Sequence, residues 1–273
     1  MYLPLCNSRV KLSVGQIFWR EVGNGGPDLV FLHGSWHESS QWLPVIEQLC
    51  PEYRCFAPDL LGFGDSSELI NLHYSIEVEV ECLAEYLETL KLRQVYLIGH
   101  SLGSWIATSY ALKYPDRVRG LVLLAPEGVT LPNAKHRWQT ARWLTSKLPV
   151  VDWLLRPLYP FAKLLGAKNQ FDQLLQLRQQ LRRSHAAPQL LFKRRWSEIQ
   201  AELLDDRLSW LKVPTWILYG SEDRPTVVSL CQSYVAKAPG AELKSIGPGN
   251  SDLLQQMPHA IAQSIREFVQ LNY

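Results

Sequence analysis

The sequence is short of the features that mark several large classes of protein. Cysteines are few, odd in number and scattered (Cys6, Cys50, Cys55, Cys82 and Cys231), and no two stand in a CxxC pair. Neither a zinc site nor a disulfide framework is suggested, and reduced, mostly buried thiols are the expectation. No uninterrupted apolar run reaches the roughly eighteen residues that a membrane span needs. The first residues, MYLPLCNSRV, lack a basic start followed by a long apolar stretch, so they do not read as a secretory signal. Net charge is nearly absent as well. Lys+Arg is 28 against 26 Asp+Glu, and a balance of +2 is no signature of nucleic-acid binding. The sequence has no phosphate loop, no dinucleotide fingerprint and no metal-ligand cluster, so no cofactor and no metal are expected. The GFG within DLLGFGDSS lacks the glycine spacing and the strand–helix setting of a nucleotide site.

What remains is an ordinary globular composition. The 273 residues are 47% apolar and 20% charged, enough for a sizeable core, and ten tryptophans are many for this length. Short runs rich in Val, Ile and Leu alternate with helix-length segments. The runs are IFWREV (17–22), DLVFLH (28–33), YRCFAP (53–58), VYLIG (95–99), GLVLLAP (120–126), TWILYG (215–220) and AELKSI (241–246). Helical patterns cover 75–90 and 102–114. A last helix begins near Pro258, with Ile261, Ile265, Phe268 and Val269 as its apolar stripe and His259, Gln263 and Arg266 opposite. Strands alternating with helices predict a mostly parallel sheet covered on both faces.

One segment breaks the alternation. Residues 130–204 show helical patterns interrupted by prolines and no convincing strand. They hold 13 Lys+Arg against 4 Asp+Glu, while the rest of the chain holds 15 against 22. Much of that charge is expected on solvated helix faces. The division predicted is a core in two parts, 1–129 and 205–273, with a basic, Trp-rich helical insertion at 130–204.

The motif with the clearest chemistry is GHSLGS, in which Gly99, Ser101 and Gly103 form a GxSxG after a strand and before a helix. A sharp turn there exposes the serine oxygen at a helix N-terminus, and the glycines let backbone approach closely. Around it stand HGSW (33–36), DLLGFGDSS (59–67), PDRVRGLVLLAP (115–126) and LYGSEDRP (218–225), each beside or within a strand.

This set resembles the α/β-hydrolase superfamily, in the branch with esterases, lipases, acyl hydrolases and lyases. The resemblance covers nearly all of 18–269 except the insertion. It implies that Ser101 is the nucleophile and that the backbone N–H groups of Ser35 and Leu102 form the oxyanion hole. It further implies that Asp223 is the acid of the triad and that the insertion is a cap over the pocket. Trp36 and Glu127 are expected at the substrate. Serine at the elbow argues against dehalogenase or epoxide-hydrolase chemistry, which uses Asp there.

The sequence departs from the family at the base. The family's histidine lies after the last strand in a pattern like G-H-x-x-x-x-E-x-P. Here that region reads IGPGNSDLLQQMPHA, which places Ser251 in the histidine slot and Gln256 in the glutamate slot. A triad needs an imidazole to take the serine proton. Of the seven histidines, His33 and His100 read as structural, His259 as solvent-facing, and His73, His136 and His185 as surface or cap residues. His37, just after the oxyanion turn, is the best substitute.

Two functions of nearly equal weight follow. One is a serine hydrolase for a carboxylic ester or thioester of an apolar or lipid-like acid. The other is a non-catalytic relative whose pocket and cap bind an anionic amphiphile, an acidic membrane surface or a protein. A non-hydrolytic enzyme such as a lyase ranks third. A cytoplasmic monomer, peripheral to a membrane if the cap binds one, is expected.

Overall fold

The computed structural model describes residues 4–67, 69, 73–131, 138–145, 178, 184–249 and 253–273. Eight strands form one sheet: β1 (Cys6–Lys11), β2 (Gln16–Val22), β3 (Asp28–Leu32), β4 (Arg54–Pro58), β5 (Val95–His100), β6 (Val118–Leu124), β7 (Thr215–Gly220) and β8 (Ala241–Ile246). Their spatial order is β1-β2-β4-β3-β5-β6-β7-β8. β2 runs antiparallel to β1 and β4, and every other neighbouring pair is parallel. Seven strands fall on the apolar runs of the sequence. β1 is the eighth, a half-solvated edge strand whose polar sequence CNSRVK carries no apolar run.

The larger helices are α1 (Leu43–Leu49), α2 (Ile76–Thr89), α3 (Leu102–Lys113), α4 (Gln139–Leu144), α5 (Trp196–Glu202), α6 (Pro225–Lys237) and α7 (Pro258–Leu271). Side chains alternate across each strand, so the sheet feeds two cores. Val30, Leu32, Leu97, Leu121, Leu123 and Ile217 pack with α2, α3 and α6 on one face. Leu29, Phe31, Tyr96, Ile98, Val122 and Leu218 pack with α1 and α7 on the other. The Ser75 hydroxyl caps α2 by accepting from the Val78 amide at 3.1 Å. Ile261, Ile265, Phe268 and Val269 are buried along α7, as their spacing requires, while His259 and Gln263 are exposed.

Between β6 and β7 the described residues are helical or irregular, with α4, a turn at Ala186–Pro188 continuing into Gln189–Lys193, and α5. The ends of the segment are fastened together. The Thr130 amide and hydroxyl both donate to Asp205 at 2.9 Å, and the Leu204 amide donates to the Gly128 carbonyl at 2.8 Å. Lys237 of α6 pairs with the same Asp205. No helix among the described residues is long and apolar enough to cross a membrane. All five cysteines are free, with Cys55, Cys82 and Cys231 buried, Cys50 half-buried and Cys6 exposed.

Candidate active site at the end of β5

The chain leaves β5 through Gly99-His100 and turns abruptly at Ser101, whose φ is 51° and ψ −111°. A serine held there carries about 1–3 kcal/mol of backbone strain and persists only where its surroundings enforce the turn. They do so with four hydrogen bonds. The Ser101 amide donates to the Leu124 carbonyl at 2.9 Å. Its own carbonyl accepts from the amides of Ser104 at 3.1 Å, Trp105 at 3.3 Å and Glu127 at 3.3 Å. Both flanking glycines are required by contact: a Cβ on Gly99 would stand 2.6 Å from the Ser104 backbone, and one on Gly103 would overlap the Leu32 carbonyl.

The turn after β3 faces this elbow. His33 is fully buried, and its Nε2 accepts the Leu60 amide at 2.9 Å. The proton therefore sits on Nδ1, which donates to the Gly34 carbonyl at 2.9 Å. Burial pushes its pKa down to about 4, so the ring is neutral near pH 7. The half-buried His100 ring, its Nδ1 out of solvent, packs against Gly34, where a Cβ would meet that nitrogen at 2.5 Å. Burial, with the neighbouring His37 and His33 adding to it, pushes His100 down to about 3. Both rings are packing elements, consistent with their sequence context. Ser35 and Leu102 are buried on the two sides of the elbow, and no acceptor for either backbone N–H is found among the described residues. His37 closes the turn through its amide, which donates to the Gly34 carbonyl at 3.1 Å. Its half-buried ring lies 6.0 Å from that of His100. Trp36 is half-buried against the larger core.

Asp223 follows β7 by three residues and is 8% exposed. Its Oδ2 accepts from the Gly220 amide at 2.7 Å. Its buried Oδ1 has no hydrogen-bond partner among the described residues. Burial raises the carboxyl's pKa, opposed by the Gly220 amide and the Arg224 charge. The loop after β8 runs beside this acid. The Ser221 hydroxyl donates to the Gly247 carbonyl at 2.7 Å and the Glu222 amide to that of Gly249 at 3.0 Å. Asn250 and Ser251 lie outside the described residues, as does His136. Gln256 ends the short helical turn Leu253–Gln256 and is exposed.

Glu127, three residues past β6, is buried and bridges two parts of the site. Its amide reaches the Ser101 carbonyl, and its carbonyl accepts the Tyr234 hydroxyl. Cys231 lies close to both acids. Burial first, then the charges of Asp223 and Glu127, push its thiol up to about 12, so it is inert as a nucleophile. Above Glu127 a cavity of about 40 Å³ is walled by Trp105, Trp138, Leu191 and Trp196. Trp105, Cys231 and Tyr234 were not singled out from the sequence. The only signal was Trp105's place one helical turn after Ser101, which also suits a core residue. His73, His185 and His259 are exposed. No group of metal-ligating residues is found among the described residues.

The family model for the α/β hydrolase fold matches residues 27–254. The chain belongs to this family. A 2-hydroxy-6-oxo-2,4-heptadienoate hydrolase of Pseudomonas putida is 37% identical over 116 residues, which are 40% of this chain and 41% of that protein. A haloalkane dehalogenase of Mesorhizobium japonicum is 32% identical over 117 residues, 43% of this chain and 38% of that one. The matched segments thus span about two-fifths of these relatives. Among solved structures, an esterase from Thermogutta terrifontis superposes with a TM-score of 0.73 at 22% identity, over 96% of this chain and 98% of that one. That likeness is one of fold.

Proposed function

We propose that the protein carries a serine-hydrolase-type site for a carboxylic ester or thioester with an apolar acyl group. Ser101 is its nucleophile, the Ser35 and Leu102 amides its oxyanion hole and Asp223 its acid. The observation that carries this reading is the backbone at residue 101. Glycine would hold a φ of 51° at little cost, yet a serine occupies the strained position with its oxygen at a helix N-terminus. Free N–H groups on both sides of the elbow are what a tetrahedral oxyanion requires. The fastened ends of residues 130–204 support their reading as an insertion that caps this end of the sheet. Trp105, Trp138 and Trp196 then wall the acyl side. Two relatives are named hydrolases, which supports hydrolysis in general, the ester bond being this reading's own addition. A fluorophosphonate probe tests it: labelling of the wild type and none of Ser101→Ala is expected, and equal labelling of the two overturns it.

A second reading rests on a different observation. The buried Oδ1 of Asp223, which has no hydrogen-bond partner among the described residues, is where an imidazole N–H would be received, and the sequence offers Ser251 rather than histidine in that loop. On this reading the pocket binds an apolar or amphiphilic ligand without turning it over, and His37 does not act as the base. Loss of a triad histidine lowers turnover by about a million-fold in a model serine protease, with about a thousandfold over water remaining. Hydrolysis by the wild type that falls sharply in His37→Gln but not in Ser251→Ala rejects the non-catalytic reading.

A further inference from the structure

The N-terminal ends of the central strands β3, β5 and β6, opposite the elbow, carry a separate charged depression. β5 is six residues long, so its N-terminal end lies about 20 Å from the elbow. Two loops meet there, the one from α2 into β5 and the one from α3 into β6. They are adjacent because β5 and β6 pair in parallel, with Val95 opposite Val118. Gln94 Nε2 donates to the Asp116 carbonyl at 3.1 Å and pins one loop to the other.

The open depression between these loops and the start of β3 has a volume of about 790 Å³, and its lining includes the exposed Lys91, Arg93, Arg117 and Arg119 together with Asp28 and Asp116. Among the described residues, none of the four cations forms an ion pair within 4.0 Å. Asp28 pairs with Arg54 at 3.1 Å and also feels the charge of Arg119. Arg119 is held in place, its guanidinium 5.6 Å from the centre of the Tyr273 ring and beside the Tyr96 hydroxyl, which donates to the Asn272 carbonyl at 2.7 Å.

A solvated charged surface is the plain alternative for such residues. Two facts argue past it. Outside residues 130–204 the chain is acidic, with 15 Lys+Arg against 22 Asp+Glu, so four cations gathered around one depression, with no ion pair within 4.0 Å among the described residues, run against that balance. Like charges gathered on a concave wall also repel one another, and an anion placed among them relieves that repulsion. Guanidinium groups on two pinned loops suit the bidentate geometry of phosphate oxygens.

We propose that this depression binds a phosphate-bearing ligand with at least two negative charges. The cations at 91, 93, 117 and 119 contact the phosphate oxygens. The ligand's source is either a soluble phosphate ester or the headgroup of an anionic phospholipid. The site is remote from Ser101, so its test is independent of the proposed hydrolase chemistry.

The full chain is titrated with inorganic pyrophosphate by calorimetry at low salt. In parallel it is floated with phosphatidylcholine vesicles with and without phosphatidic acid. Saturable binding is expected, weakened about tenfold or more in the double variant R93S/R117S and by less than about twofold in K11S/K212S. The second pair removes the same charge from exposed residues outside the depression, and Lys91→Gln repeats the test should the first variant fail to fold. Binding of pyrophosphate without flotation assigns a soluble phosphate ester. Flotation that needs phosphatidic acid, is competed by pyrophosphate and is lost in R93S/R117S assigns the headgroup. No saturable binding of either probe overturns the proposal, as does equal weakening by the two double variants.

Discussion

The Glu222 amide donates to the Gly249 carbonyl at 3.0 Å, which ties the loop carrying Asp223 to the loop that follows β8. Residue 251 enters the chain two positions beyond that tie, and the buried Oδ1 of Asp223 has no hydrogen-bond partner among the described residues. Ser251→His is therefore expected to raise hydrolysis of a short p-nitrophenyl ester by about a hundredfold or more, part of the million-fold that a triad histidine supplies. The rate is also expected to climb with pH through the ordinary imidazole range, near 6–7. An unchanged rate and a flat pH profile would show that this loop does not carry residue 251 to the serine.

Ser101→Gly separates stability from chemistry. Glycine relieves the strain of a φ of 51°, so the variant is expected to be more stable by about 1 kcal/mol while losing all fluorophosphonate labelling. Thermal unfolding of the two proteins under identical conditions measures the first effect. A lowered melting temperature would mean that the serine side chain itself supports the turn.

Gly103→Ala tests how tightly the elbow is seated against the turn after β3. The new Cβ meets the Leu32 and His33 carbonyls, which are backbone atoms and cannot rotate away. A destabilisation of about 1–3 kcal/mol is expected, read from urea unfolding. A cost within error of zero would show that the helix shifts freely at its start.

Glu79 supplies a pH prediction remote from the site. It is fully buried beneath the Asp59–Leu61 turn, with Oε2 accepting the Leu61 amide at 3.3 Å, and burial pushes its pKa up to about 8 from 4.5. Between those values the folded chain holds a proton that the unfolded chain has released. The side chain's contribution is thus complete below about pH 4.5 and is lost as pH rises through about 8. Glu79→Gln is expected to equal the wild type near pH 5 and to exceed it by at least about 1 kcal/mol at pH 9. A constant stability difference across that range would show that Glu79 does not titrate in the folded protein.

The strands and the elbow were legible in the sequence for local reasons. A parallel strand buried on both faces needs a continuous apolar run, which is why VYLIG, LVLL and TWILYG each lie within a strand. β1 was missed because an edge strand buries only one face, and CNSRVK satisfies it with alternating half-exposed residues. Trp105, Cys231 and Tyr234 belong to the site through helices that also serve the core, and helical spacing alone does not separate the two roles.

The order of residues in the chain settled the fold family, the sharp turn at Ser101 and the candidate acid, since glycine sterics, strand patterning and turn residues act over a few positions. Packing alone decided the burial of the Asp223 Oδ1, the raised pKa of Glu79, the clasp of Thr130 on Asp205 and the cationic depression between the loops before β5 and β6. Each of these depends on burial or charge at a point where segments distant in sequence meet, and no local pattern encodes that meeting.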